Sequence, residues 1–152
     1  MKPAKLGLTS PRAAEDLAEL GFDAEELGYT LAGAADPDLA LNNAYRLHEA
    51  LDSWDELLAE LRANSIFRTR FFALLGGSTA LSDHLIANPE QWRLLCDDLP
   101  SRPDMFRAML GAVGVDADGP GLYRAEVGEV GVAKQKLRTA HRNLVMRVAA
   151  AD

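Results

Sequence analysis

The residues able to do chemistry gather in one stretch, Phe67 to Trp92. Gly76-Gly77-Ser78 followed by Asp83 has the outline of a nucleotidyl-transfer site, in which a glycine turn precedes two alternating carboxylates that hold magnesium. Alternating carboxylates reach one ion only from a strand, where side chains repeat every second residue. Residue 85 is leucine and the surrounding pattern is helical, so that site fails at its decisive position. Asp83-His84 could join an orienting carboxylate to a general base, but neighbours on a helix point roughly 100° apart. A capped, solvent-facing or helix-stabilising pair is the reading instead. Arg68 and Arg70 could grip a phosphate, although arginines that brace helix ends or cover apolar surface are commoner.

The remaining candidates are weaker. Asp116-Ala117-Asp118-Gly119 opens like a calcium loop, yet its glycine comes two positions early and the twelfth position, Val127, is not glutamate. His48 and His141 are isolated, which speaks against a histidine metal cluster. Cys96 is the single cysteine and falls between Leu95 and Leu99 on an expected apolar helix face, the setting of a buried, unreactive thiol. No catalytic, cofactor-binding or metal-ligating residue is therefore assigned.

These residues must be positioned by helices, whose punctuation is legible throughout. Ser10-Pro11 opens a helix that Gly21 closes. Asp23 can cap a short helix carrying Leu27 and Leu31 to near Gly33, and Asp36-Pro37 opens another with Ala40, Ala44, Leu47 and Leu51 on one face. Ser53-Trp54-Asp55-Glu56 has the form of a capping box. Phe67, Phe71 and Leu74, widened by Ile66, Phe72 and Leu75, predict the central buried helix, which Gly76-Gly77 should break. Ser78 can cap a helix with Leu81, Leu85 and Ile86, while Asn88-Pro89 ends it and caps a next one facing inward through Trp92, Leu95 and Leu99. Ser101 to Pro103 starts a helix with Phe106, Met109, Leu110 and Val113.

Glycines and Pro120 predict a flexible loop over 115–131, followed by the longest helix, about Val132 to Ala151, with Ala133, Leu137, Ala140, Leu144 and Val148 on one stripe. That helix has no stop signal, so the chain reads as cut from something longer. No pattern of period two survives. The expected fold is all-α, an array of about seven to nine short antiparallel helices ending in one long helix, within a single helical domain over 1–152.

The 152 residues carry a formal charge of −7, distributed as −8 over residues 1–64 and +1 over 65–152. An acidic first half speaks against a nucleic-acid partner. No apolar run approaches the ~20 residues of a membrane span or the core of a signal peptide, so a cytoplasmic protein with no membrane partner is expected. Over 133–148 the last helix carries Lys134, Lys136, Arg138, Arg142 and Arg147 with no acidic residue. Most such runs are solvated faces. The functional alternative is a free-standing interaction module that binds an acidic partner, for which the acidic first half of the same chain is one candidate.

The run from Phe67 to Ser78, with Ala80-Leu81-Ser82-Asp83-His84-Leu85 and Asn88-Pro89-Glu90-Gln91-Trp92, resembles the amino-terminal region of glutamine synthetase adenylyltransferases, most of all the actinobacterial ones. The closing run, Lys136 to Arg142 and Arg147 to Asp152, is similar to that family's helix leading into its first nucleotidyltransferase domain. The resemblance implies a parent enzyme that uses magnesium and ATP to attach AMP to a tyrosine of glutamine synthetase, removes it again, and responds to the PII signalling protein and glutamine. It implies that this chain is the helical scaffold or regulatory portion, not catalytic by itself and without a cofactor of its own. The family's Ser-Asp-x-Asp pair is absent here, so no catalytic residue carries over.

Overall fold

A computed structural model of the chain describes residues 2–119, 123, 125 and 128–152. After a 3-10 helix at Pro3–Leu6 come α1 (Ala13–Glu19), α2 (Glu25–Ala32), α3 (Pro37–Ala50), α4 (Trp54–Ala63), α5 (Ser65–Gly77) and α6 (Thr79–Ala87). A second 3-10 helix, Pro89–Leu95, precedes α7 (Arg102–Gly111) and α8 (Val130–Ala151), the longest element at 22 residues. No strand occurs among the described residues, and the fold is all-α. None of the described helices is long and apolar enough to cross a membrane.

Local chemistry accounts for most boundaries. Asp36 and Asn64 accept the amides of Leu39 and Phe67 at the starts of α3 and α5, and Ser78 accepts that of Leu81 at the start of α6. Helix α1 ends as expected at Gly21, whose φ of 72° lets the Phe22 amide reach back to Leu17 and its own amide to Ala18. It starts later than Ser10-Pro11 suggests, at Ala13, because Ser10 instead receives the Arg12 amide in the preceding turn. Asp23 does not cap α2; Ala24 holds that position without a side-chain bond.

Three expectations change near α5. The capping box does not form, because charged partners draw both of its side chains away: Ser53 donates to Glu90 at 3.3 Å and Glu56 takes Arg93 at 2.7 Å. Gly76-Gly77 does not break the helix but completes its last turn. Asn88-Pro89 starts a 3-10 turn rather than an α-helix, and the Asn88 side-chain amide donates backward to the His84 carbonyl at 2.9 Å. With that helix finished at Leu95, Leu99 is 43% exposed and does not face inward. Of the expected loop, Val130 and Gly131 are already helical, while residues 120–122, 124, 126 and 127 lie outside the described residues.

The chain divides into two units, residues 1–97 with Ala150–Asp152, and Asp98–Ala149. In the first, α5 is the hub that sequence pattern predicts: it packs against α2, α3, α4, α6 and the second 3-10 helix, with Phe67, Phe71, Phe72, Leu74 and Leu75 buried. Phe71 and Phe72 meet edge to face at 5.4 Å, and Phe22 meets Phe72 the same way. In the second unit, α7 buries none of its residues, and Phe106 is 52% exposed.

Candidate functional site

The structure spreads the sequence candidates apart. Asp83 leaves its neighbour and pairs with Arg46 at 2.8 Å, while His84 is buried against Asn88, its Nδ1 3.5 Å from the amide nitrogen. Asp83 and His84 are thus engaged by different partners. Gly76 lies in a close helix crossing, and Leu85, in the place where a second carboxylate would stand, is fully buried. Asp116 accepts the Asp118 amide at 3.0 Å in a local turn, and Asp118 pairs with Arg107; Val127 lies outside the described residues. His48 meets the edge of Trp54 at 4.9 Å, a packing role. Among the described residues no three His, Cys, Asp or Glu side chains converge as metal ligands would.

The two arginines brace helix ends. Arg68, only 13% exposed, donates through Nη1 to the carbonyls of Leu61 and Arg62 at 3.0 and 3.4 Å and pairs with Glu26 at 3.6 Å. Those carbonyls belong to the last turn of α4, where a cation also suits the helix dipole. Arg70 donates to the carbonyls of Leu95 and Asp97 at 3.1 and 2.8 Å and so fastens the end of the second 3-10 helix onto α5. Arg70→Ala removes two charge-assisted bonds and lowers stability by about 1.5–3 kcal/mol, with Arg70→Lys losing less, read as urea midpoints.

A polar cluster that single-sequence reasoning missed pins the same 3-10 helix to the start of α4. Arg93 bridges Glu56 and Glu90, lies 4.7 Å over the Trp92 ring, and has its pKa raised chiefly by its bond to Glu90. Glu90 and Arg93 at i, i+3 were the available signal. Asn43 plays a matching part inside: it is buried, donates to the Leu75 carbonyl at 2.9 Å near the end of α5, and receives Arg46.

Cys96 is half-buried, and desolvation, then the carboxylates of Glu60 and Asp97, push its thiol up from 9.0 to about 11. A thiol so protonated is a poor nucleophile. Iodoacetamide should therefore modify Cys96 at pH 8 about tenfold or more slowly in the native chain than in urea. Because the folded thiol holds its proton more tightly than the unfolded one, its contribution to stability is present below pH 9.0 and is lost as the pH rises toward about 11.

The site residues thus sit in an all-α fold in which Arg46, Arg68, Arg70, Arg93 and Asn43 tie one helical element to another. Comparison with known proteins supplies the particular family. The chain is 40% identical, over 99% of its length, to the bifunctional glutamine synthetase adenylyltransferase/adenylyl-removing enzyme of Corynebacterium glutamicum, and spans 17% of that protein. It is 43% identical over 97% of its length to the enzyme of the same name from Nocardia farcinica, spanning 16% of it, and 38% identical over 97% to that of Mycobacterium tuberculosis, spanning 15%. The chain belongs to the bifunctional glutamine synthetase adenylyltransferase/adenylyl-removing enzyme family and corresponds to one segment of its members. No family model matches it. No solved structure matches it.

Proposed function

We propose that this chain is the amino-terminal helical portion of a cytoplasmic enzyme that adenylylates and deadenylylates glutamine synthetase, and that it supports the catalytic domains without supplying a reacting group. The observation that carries this reading is the match itself: 97–99% of the chain aligns with relatives of that name while covering only 15–18% of their length. Arg68 and Arg70 hold backbone carbonyls and Asp83 holds an arginine, which supports a packing role for these side chains. In this reading the whole enzyme uses magnesium and ATP and acts on glutamine synthetase under control of the PII signalling protein, and no metal or nucleotide is assigned to this chain.

A chimera tests it. Replacing the matching segment of the Corynebacterium glutamicum enzyme by this chain should leave adenylylation and AMP removal both active, because a scaffold needs only its packing surfaces. Loss of both activities in a chimera that is folded by circular dichroism would contradict the scaffold role.

A further inference from the structure

Helix α8 carries a surface stripe that the scaffold reading does not use. At 3.6 residues per turn, Val130, Lys134, Arg138, Arg142, Val145 and Val148 fall on one side, over about 27 Å of helix. All six are exposed, the valines by 64, 39 and 44%. Elsewhere Arg12, Arg46, Arg68, Arg93 and Arg107 are all engaged in ion pairs. Lys134, Arg138 and Arg142 have none among the described residues, and no acidic residue lies on α8 to neutralise them. The stripe is thus cationic in its middle and apolar at both ends.

We propose that this stripe is a docking surface for an acidic amphipathic helix, whose carboxylates meet Lys134, Arg138 and Arg142 and whose apolar residues cover Val130, Val145 and Val148. Charge complementarity fixes the sign of the partner, and the rise of about 6 Å between successive cations matches carboxylates at i, i+4 and i+8 of a helix laid alongside. The exposed valines favour protein over nucleic acid, because a phosphate backbone covers no apolar surface.

The test titrates the full chain with a fluorescent helical peptide of about 20 residues, glutamates at i, i+4 and i+8 and leucines toward both ends. Controls are a scrambled peptide of the same composition and a single-stranded oligonucleotide. Binding should weaken about tenfold or more for the scrambled peptide and for the triple variant Lys134→Glu, Arg138→Glu, Arg142→Glu, and should fall with added salt. The double variant Val145→Ser, Val148→Ser should weaken binding without changing its salt dependence. These positions are exposed, so far-UV circular dichroism should be unchanged in both variants. No binding, equal binding of the scrambled peptide, tighter binding of the oligonucleotide, or an unaffected triple variant would overturn the proposal.

Discussion

Phe71→Ala should lower the unfolding free energy by about 3–5 kcal/mol, the largest single effect expected in the chain. Phe71 has no exposed surface, lies at the middle of α5, and touches Phe67 and Phe72 at centroid distances of 5.7 and 5.4 Å. Removing the ring loses its transfer free energy and leaves a cavity between helices that α5 also holds to α2, α3, α4 and α6. A domain of this size has only about 5–15 kcal/mol in total, so the variant should approach the unfolding threshold. A urea midpoint close to that of the unaltered chain would mean that α5 is not the hub.

The two adjacent glycines should respond with opposite signs. A Cβ on Gly76 would lie 2.8 Å from the Ala34 Cβ, 2.9 Å from the Asp36 carbonyl oxygen and 3.3 Å from the Ala40 Cβ. Backbone cannot swing aside as a long side chain can, so Gly76→Ala should cost about 1–3 kcal/mol despite alanine's better helix propensity. Gly77 has nothing within 4 Å of its virtual Cβ and no positive φ, so Gly77→Ala should gain about 0.4–1 kcal/mol. Paired urea titrations read the contrast directly, and two shifts of the same sign would refute the close crossing of α5 over the start of α3.

That pair also shows where sequence stopped informing. The pattern Phe67, Phe71, Leu74 places α5 in the core because burial follows helical period, and the structure agrees. Gly-Gly reads locally as a helix break, yet Gly76 is required by a neighbour more than thirty residues away in sequence. Tertiary proximity overrode local propensity. The capping box failed for the same reason, since Arg93 lies 37 residues beyond Glu56 and offers a charged partner that the backbone amide cannot match. Leu99 was misplaced because an α-helical period was continued through what is a 3-10 turn ending at Leu95. Candidate chemistry was legible mainly by elimination: Leu85 in place of a carboxylate was visible at once, whereas the carbonyl partners of Arg68 and Arg70 required the fold.

Family membership comes from resemblance over nearly the whole chain, and the physical reading adds which side chains are committed to packing. Together they make one claim open to direct attack, that this portion of the enzyme has no chemistry of its own. The decisive measurement incubates the purified chain with adenylylated glutamine synthetase and magnesium and follows free AMP. No AMP should appear above the rate of glutamine synthetase alone; metal-dependent release that scales with added chain would contradict the scaffold role.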